Sequence, residues 1–283
     1  MNLDPLGIRH LVVVGASKGL GANVVKYFAQ AGWNVSFGSR NTAQLEVTES
    51  ELKAGGFSSG YSFVDVRNLE SVVAFFSSAK KRFGQIHAVV HLAATNKPYG
   101  TLRSVEPVEW ADSINTNLLG TFYVLKSALL EMEASDRGDI VVLSGGGATA
   151  PMPTLSAYAA SKSAIVRLVE SVALEEKNGR IRINALAPGI MDTGMVDEVI
   201  EAGSEVIDEE FLARMRLAKT SGEDSTVQAT KCIDFLLTNE IPELTGLLIS
   251  AKWDDWQSWD NSGRGDFSDP RFRLRRISPG SST

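Results

Sequence analysis

The sequence predicts an α/β fold in a single domain, built around a doubly wound parallel sheet of about seven strands. Short apolar runs alternate along the 283 residues with longer segments whose apolar residues recur at helical spacing. Several runs are continuous and rich in β-branched residues, which is typical of strands buried on both faces. A glycine-rich loop joins the first run to the first helical segment.

The strands and helices follow one another in regular order. The runs with strand composition are His10–Val14, Asn34–Gly38, Tyr61–Val64, Ile86–Leu92, Ile140–Leu143, Ile181–Leu186 and Leu247–Ser250. The segments with helical periodicity are Ala22–Ala31, Thr42–Ala54, Leu69–Phe83, Glu106–Ala134, Ala157–Lys177 and Ser225–Thr238. Strands that alternate with helices in this way pair in parallel through helical crossovers.

Two segments depart from the alternation. Residues 190–222, with eight acidic and three basic side chains, are too long for a plain connection, so we interpret them as a substrate lid; a surface insertion is the alternative. A tail, residues 251–283, follows the domain of residues 1–250. Its Trp253, Trp256 and Trp259 recur every three residues, so one helical stripe would cover the core or a neighbouring subunit, or stack on a sugar. The tail arginines are interpreted as a solvated basic cluster or a clamp for an anionic substrate: Arg271, Arg273, Arg275 and Arg276.

Composition excludes several classes of protein. A net charge of −6 gives no general attraction to nucleic acid. The single cysteine, Cys232, rules out an internal disulfide, and the three histidines share no metal-ligand spacing with it or with carboxylates. No segment resembles a signal peptide or a membrane span, so we expect a cytoplasmic protein with no membrane partner and no metal.

The first glycine loop predicts dinucleotide binding. Glycines permit a tight turn and close approach of the backbone, while the N-terminus of the following helix attracts a pyrophosphate. The loop residues expected at the cofactor are Gly15, Ser17, Lys18, Gly19, Leu20 and Gly21. This context makes the predicted sheet Rossmann-type.

The end of the second predicted strand indicates which dinucleotide is preferred. After Ser39 the chain carries Arg40 instead of an acidic residue that would bind a free ribose 2′-hydroxyl. Arg40 and Lys18 are suited to a 2′-phosphate, so NADP(H) is favoured over NAD(H). Two solvated surface charges are the alternative interpretation.

The segment LSGGGATAPMPTLSAYAASK places Tyr158 and Lys162 at positions i and i+4. These residues share a helix face, so the ammonium is expected to favour the ionised phenol. Such a pair is able to exchange a proton with a substrate.

With these features in place, residues 8–250 resemble the short-chain dehydrogenase/reductase family. The matching motifs are VGASKGLG, FVDV, NTNLLGTF, AYAASKSAIV and INALAPGIMDT. The resemblance implies that Tyr158 is the general acid/base, that Lys162 binds the nicotinamide ribose and lowers the tyrosine pKa, and that Asn117 supports a proton relay. It also implies a homodimer or homotetramer formed through the two long helices.

The same resemblance assigns further cofactor contacts. Asp65, followed by Val66, would contact the adenine, and Ala93 would line the ribose. Pro188, Gly189 and Thr193 would hold the carboxamide end of the nicotinamide.

The chain departs from the family pattern at three places. His91-Leu92-Ala93-Ala94 replaces the usual Asn-Asn-Ala-Gly, so Leu92 is expected to be accommodated by packing. LLISAKWD replaces the usual ending Val-Asp-Gly-Gly. The family's serine lies thirteen residues before the tyrosine, where this chain has Gly145. We expect the flexible glycine run to let Ser144 bind the substrate oxygen; the alternative is Thr154 or Ser156.

Together these observations predict an NADP(H)-dependent oxidoreductase that transfers a hydride between nicotinamide and a carbonyl or secondary alcohol substrate, a small molecule. Two alternatives stay open. One is an NAD-linked alcohol or sugar dehydrogenase, and the other is a catalytically silent dinucleotide-binding sensor or scaffold.

Overall fold

The computed structural model describes residues 7–133, 135–176, 179–220, 225–260 and 265–274. Within these residues, seven parallel strands form one sheet in the order β3-β2-β1-β4-β5-β6-β7. The strands are β1 (His10–Val14), β2 (Asn34–Ser39), β3 (Ser59–Phe63), β4 (Ala88–His91), β5 (Gly138–Leu143), β6 (Ile181–Ala187) and β7 (Leu248–Ser250). The order reverses between β1 and β4, which confirms the predicted doubly wound, Rossmann-type sheet.

Helices cover both faces of this sheet. The helices of the described residues are α1 (Gly19–Gln30), α2 (Thr42–Ala54), α3 (Leu69–Phe83), α4 (Pro107–Ile114), α5 (Gly120–Met132), α6 (Ser156–Glu175), α7 (Gly194–Ala202), α8 (Glu209–Thr220) and α9 (Ser225–Thr238). Of these, α7 and α8 pack on each other in an apolar cluster separate from the two faces of the sheet. Asparagine side chains cap the N-termini of α2 and α3. The Asn41 carboxamide accepts a hydrogen bond from Gln44 N at 3.3 Å, and the Asn68 carboxamide accepts one from Ser71 N at 3.0 Å.

One predicted helix is interrupted. The segment predicted as Glu106–Ala134 comprises α4, a π-helical turn at Asn115–Leu119 and α5. Apolar periodicity does not detect a turn wound one residue wider, so the sequence pattern missed it. Two predicted helix ends, Ala134 and Lys177, lie outside the described residues.

The core consists of apolar layers on the two faces of the sheet. Leu11 and Val13 point to the face covered by α1 and α9, whereas Val12 and Val14 point to the face covered by α3, α5 and α6. Leu92 is 8% exposed and packs in the first layer, as predicted. Cys232 is fully buried in α9.

The described part of the tail packs on the domain, but not as a helical stripe. Trp256 and Trp259 are buried against Phe235 of α9, with ring centroids 5.7 and 6.2 Å away, whereas Trp253 is 80% exposed. Only a short 3₁₀ turn, Trp256–Ser258, forms here, so the three indoles do not share a face. Arg271 pairs with Asp269 at 2.7 Å, and Arg275 and Arg276 lie outside the described residues.

No helix among the described residues is long and apolar enough to cross a bilayer. The division of the chain at residue 250 stays a prediction.

Candidate active site

The hydroxyl of Tyr158 lies against the chain that leaves β5. Tyr158 is in the first turn of α6, and a Cβ built on Gly145 would be 2.5 Å from its Oη atom. Gly145 has extended backbone, with φ 170° and ψ 175°. The residue that faces the phenol is therefore the glycine that stands thirteen positions before it.

The side chain of Ser144, the residue predicted to bind the substrate oxygen, points away from the Tyr158 hydroxyl. Consecutive residues of an extended chain point in opposite directions, so Ser144 faces away when position 145 faces Tyr158. Ser144 is 1% exposed, and its Oγ donates a hydrogen bond to the Lys162 carbonyl at 3.4 Å. The glycine run does not turn this hydroxyl toward the phenol. The two alternative residues for the substrate oxygen also form hydrogen bonds within the chain. Thr154 Oγ1 donates to Pro153 O at 2.6 Å, and Ser156 Oγ accepts from Trp110 Nε1 at 3.1 Å.

Lys162 is buried one turn after Tyr158. Its Nζ donates to the Leu143 carbonyl at 2.8 Å and lies 5.6 Å from the centroid of the Tyr158 ring. Burial lowers the pKa of Lys162 to about 7 and raises the pKa of Tyr158 to about 12. In the chain without its cofactor, burial therefore acts against the lowering of the Tyr158 pKa that the family resemblance implies. The pair holds a protonated phenol, which is the form that donates a proton.

Asn117 is fully buried in the π-helical turn and ties three parts of the site together. Its carboxamide accepts a hydrogen bond from Thr95 N and donates one to Thr95 O, both at 2.8 Å. The same Nδ2 donates to Ser161 Oγ at 2.9 Å, and Ser161 Oγ donates to the Tyr158 carbonyl at 2.7 Å. The turn is therefore linked both to the segment after β4 and to the helix that carries Tyr158.

The glycine loop lies at the same edge of the sheet. Gly15 has φ +91°, and a Cβ there would enter the backbone of Ala93. A Cβ on Gly21 would enter the Gly15 carbonyl, so only glycine lets α1 begin this close to β1. Ser17 is half-buried and Leu20 is buried beside them. A glycine loop packed this closely against the backbone, at the N-terminus of a twelve-residue helix, is suited to bind a pyrophosphate.

The residues expected at the adenosine end follow β2 and β3. Ser39 is buried, Arg40 is exposed, and Val66 is buried under Gly120. Asp65 pairs with Arg67 at 2.7 Å, and this hydrogen-bonded partner, with a smaller effect from Arg40, lowers the Asp65 pKa. The sequence interpretation missed Arg67, although its place two residues after Asp65 in a turn was a usable signal.

The residues expected at the nicotinamide end approach the glycine loop from the other side. Pro188 is buried, and Gly189, with φ +87°, lies close to Lys252. Thr193 precedes α7, and its Cγ2 would be 3.0 Å from a Cβ on Gly19. The predicted cofactor residues that follow β1, β4 and β6 therefore lie together at the carboxyl edge of the sheet.

Lys18 points to the lid instead of to Arg40. Its Nζ lies 4.0 Å from Glu198 Oε1 on α7, and Lys97 lies 3.6 Å from the other oxygen of Glu198. Asn96 Nδ2 donates to the Met195 carbonyl at 3.3 Å, and the Tyr99 hydroxyl donates to Asn96 Oδ1 at 2.7 Å. The segment after β4 thus holds the lid, a role that no motif in the sequence indicated.

The segment interpreted as a lid, which extends in the described residues to Thr220, has an apolar inner surface. Ser221 and Gly222 lie outside the described residues. Buried side chains of α7, α8 and their connection pack with Leu155: Val196, Val199, Ile207, Phe211, Leu212 and Met215. Tyr99, Met152 and Tyr158 pack against this cluster. Acidic residues such as Glu201, Glu205, Glu209 and Glu210 are exposed, so much of the segment's negative charge lies on its outer surface, whereas Glu198 is half-buried beside Lys18.

A cavity of about 620 Å³ lies elsewhere, between α6 and the tail, where Arg167, Glu170, Phe267 and Arg273 contribute to its wall. It does not reach Tyr158. Among the described residues, no group of three or more His, Cys, Asp or Glu side chains is arranged to hold a metal ion.

Comparison with known proteins agrees with this geometry. The short chain dehydrogenase family model matches residues 9–203. The 3-oxoacyl-[acyl-carrier-protein] reductase FabG of Staphylococcus aureus is 30% identical over 241 residues, which cover 84% of this chain and 94% of that protein.

Two solved structures extend the comparison. An actinorhodin polyketide ketoreductase variant with NADPH is 25% identical, with a TM-score of 0.77 over 86% of this chain and 95% of its own. NAD⁺-bound xylitol dehydrogenase, at 24% identity and a TM-score of 0.76 over 86% of this chain and 96% of its own, shows the shared fold. The extent of the family match and the identity to FabG show that the chain belongs to the short-chain dehydrogenase/reductase family of oxidoreductases.

Proposed function

We propose that this protein is an NADP(H)-dependent oxidoreductase that transfers a hydride between nicotinamide and a carbonyl or secondary alcohol, with Tyr158 exchanging the proton. The observation that carries the proposal is the pair of half-buried Tyr158 and buried Lys162 at the sheet edge that also holds the glycine loop. A small-molecule substrate fits the family, whose members act on carbonyl or hydroxyl groups.

Tyr158 acts as the acid during carbonyl reduction. Its Oη–H bond breaks as the proton moves to the substrate oxygen, while the substrate carbon receives the hydride that a bound nicotinamide supplies. The phenol is protonated at neutral pH, since burial raises its pKa from the usual 10 to about 12, so the donor form is present. Because Gly145 replaces the family's serine and Ser144 faces away, the Tyr158 hydroxyl is the side-chain donor that we assign to the substrate oxygen.

Replacement of Tyr158 by Phe tests this role. The Tyr158→Phe variant is expected to lose about 10²–10⁴ in turnover while its affinity for NADPH changes little. Tyr123→Phe, at a half-buried tyrosine of α5, is the matched control. Turnover by Tyr158→Phe at the level of this control would overturn the assignment.

The cofactor would be held by four groups of residues. Gly15, Ser17, Gly19, Leu20 and Gly21 would accommodate the pyrophosphate, and Lys18 and Arg40 the 2′-phosphate. The adenine would lie near Ser39, Asp65 and Val66, while Ala93, Lys162, Pro188, Gly189 and Thr193 would hold the nicotinamide riboside. Lys18 reaches the phosphate only after leaving Glu198, which is a rotation of a flexible, exposed side chain.

The preference for NADP(H) is tested by the affinities for the two cofactors. Arg40→Ala combined with Lys18→Ala is expected to weaken NADPH binding at least about tenfold and NADH binding much less, since only NADPH carries the 2′-phosphate. Lys26→Ala, at an exposed lysine of α1, is the control. An unchanged affinity for NADPH, or tighter binding of NADH than of NADPH by the wild type, would favour the NAD-linked dehydrogenase.

The lid's inner surface favours an uncharged, largely apolar substrate. The side chains that pack against Tyr158 are apolar, and Lys18 and Lys97 are both paired with Glu198. A charged substrate would lose its hydration there without a free partner among these groups. Ethyl 3-oxobutanoate and 3-oxobutanoate share a reacting ketone, so comparison of their kcat/KM isolates the charge. We expect the ester to react at least about a hundredfold faster, and the reverse order would contradict this substrate class.

A homodimer or homotetramer built through α5 and α6 is part of the proposal. Phe122 and Leu130 of α5 are 43% and 62% exposed, which leaves apolar surface on this helix. Light scattering of the purified protein should give a mass of two or four chains. The mass of a single chain would contradict the proposed oligomer. A cytoplasmic location stays a prediction.

The second candidate is a protein that binds the dinucleotide without turnover. The glycine at position 145, where the family has a serine, favours it. A broad carbonyl panel distinguishes the two: oxidation of NADPH with any member supports the enzyme, and tight NADPH binding without oxidation supports the silent protein.

A further inference from the structure

We propose that His91 is a positioning residue for the reaction: through Thr121, it orients the Asn117 carbonyl in the π-helical turn. This inference rests on the proposed function. His91 ends β4 and is 1% exposed, and its Nε2 lies 3.1 Å from Thr121 Oγ1 in α5. Thr121 Oγ1 in turn lies 2.5 Å from Asn117 O. One chain of hydrogen bonds thus runs from the sheet to the turn that contains Asn117.

The number of hydrogens determines the direction of each bond. The Asn117 carbonyl only accepts, so Thr121 must give it the single hydrogen of its hydroxyl. Thr121 Oγ1 then accepts from His91, which requires the neutral tautomer with the hydrogen on Nε2. His91 therefore acts as a donor and holds the Thr121 hydroxyl in the rotamer that points to Asn117.

The carbonyl and carboxamide of Asn117 are held from different sides. His91 and Thr121 hold the carbonyl, while Thr95 and Ser161 hold the carboxamide. Ser161 also donates to the Tyr158 carbonyl. Since a π-helical turn has weaker backbone constraints than an α-helix, these side-chain bonds define where Asn117 lies relative to Tyr158.

A packing role alone does not account for this histidine. Among the described residues, Nδ1 of His91 is buried without a hydrogen-bond partner. An unpaired buried polar atom is costly, so an apolar residue would stabilise the core more if no donor were required. Burial, followed by the Lys162 charge, lowers the His91 pKa to about 3, so the imidazole is uncharged at neutral pH. The hydrogen bond to Thr121 selects the tautomer that carries the hydrogen on Nε2.

Four variants separate positioning from packing. His91→Phe removes the donor but keeps an aromatic ring, whereas His91→Gln retains an N–H donor on a side chain long enough to reach Thr121. Thr121→Val removes the hydroxyl with little change of volume. His10→Phe is the matched control, because His10 is also 1% exposed and bonds Ser36 Oγ at 3.0 Å on another strand.

Two measurements are made on each variant. The first is kcat and KM for NADPH with a carbonyl substrate that the wild type reduces. The second is hydrogen exchange of the cofactor-free protein over residues 92–97 and 115–121. The Thr95 amide, which donates to Asn117 Oδ1 at 2.8 Å, reports directly on the position of Asn117.

We expect His91→Phe and Thr121→Val to lower kcat about tenfold, to leave the KM for NADPH nearly unchanged, and to speed exchange at Thr95. His91→Gln should restore most of kcat. His10→Phe should lower the melting temperature without either effect. If His91→Phe fails to fold, Thr121→Val carries the same test.

Equal losses of melting temperature in His91→Phe and His10→Phe, with kcat and Thr95 exchange unchanged, would overturn the inference. So would an imidazole ¹⁵N spectrum that places the His91 hydrogen on Nδ1. If the wild type reduces no carbonyl at all, the proposed function fails, but the exchange rates still decide whether His91 positions Asn117.

Discussion

The Tyr158 hydroxyl occupies the space that a side chain at Gly145 would need: a Cβ there would be 2.5 Å from Oη. Gly145→Ala should displace the phenol and lower turnover about 10- to 100-fold, because small displacements of a reacting group are costly. Gly145→Ser should lose less than the alanine variant, since its hydroxyl is able to bond with the displaced phenol.

Gly146→Ala is the control for these variants. A Cβ at Gly146 meets only Met152 Cε, at 3.9 Å, so its turnover should resemble that of the wild type. Steady-state kinetics with one carbonyl substrate provides the comparison. Full activity in Gly145→Ala, or equal losses at both glycines, would contradict the proposed contact.

The buried Lys162 is expected to make stability depend on pH. Its pKa is lowered by burial to about 7 in the folded protein, below the usual lysine value of 10.5. Between these values the unfolded chain binds the proton more readily, so the free energy of unfolding rises with pH. Below about pH 7 the lysine is charged in both the folded and the unfolded chain, so the buried ammonium lowers the free energy of unfolding by its full amount.

Comparison with Lys162→Met isolates this effect. Urea unfolding from pH 7 to 9 should show the wild type gaining stability relative to Lys162→Met, which lacks the titrating group. Parallel curves for the two proteins would mean that Lys162 has an ordinary pKa in the fold. Lys53→Met, at an exposed lysine, should run parallel to the wild type.

Glu198 competes with the proposed 2′-phosphate for Lys18. Because this ion pair is exposed, its removal should have a modest effect: Glu198→Gln is expected to tighten NADPH binding about two- to fivefold and to leave NADH binding unchanged. Titration calorimetry at low and high salt measures the NADPH affinities of Glu198→Gln and the wild type. Because salt screens the exposed charges, the difference between the two affinities should be smaller at high salt. Glu201→Gln, at an exposed residue of the same helix, is the control, and weaker NADPH binding by Glu198→Gln would refute the competition.

A buried charge network at the opposite edge of the sheet should matter for stability alone. Asp139 is 2% exposed and lies 2.6 Å from Arg182, with Arg9 and Arg137 within 3.6 Å. Asp139→Ala should lower the free energy of unfolding by about 3–5 kcal/mol, because it leaves the buried guanidinium of Arg182 without its counter-ion. The cofactor affinity of the folded protein should persist.

Glu51→Ala, which removes an exposed pair with Lys26, should cost less than about 1 kcal/mol. Urea denaturation measures both variants. Equal costs for the two would show that the network at Asp139 contributes no more than a surface pair.

Much of the fold was predictable because its signals are local in the chain. The strands and crossover helices follow from apolar periodicity, and the doubly wound order follows from their alternation. The glycine loop was also predictable, since Gly15 and Gly21 are required where backbones meet. The π-helical turn was not, because the apolar pattern continues through it.

The sequence by itself determined the family, the sheet and the spacing of Tyr158 and Lys162, because these depend on residues close together in the chain. Only the tertiary structure decided that Gly145 and not Ser144 faces the phenol, that Lys18 meets Glu198, and that His91 reaches Asn117 through Thr121. The physical reason is that side-chain direction reverses with each residue of an extended chain, and that contacts between distant segments depend on how the helices pack on the sheet.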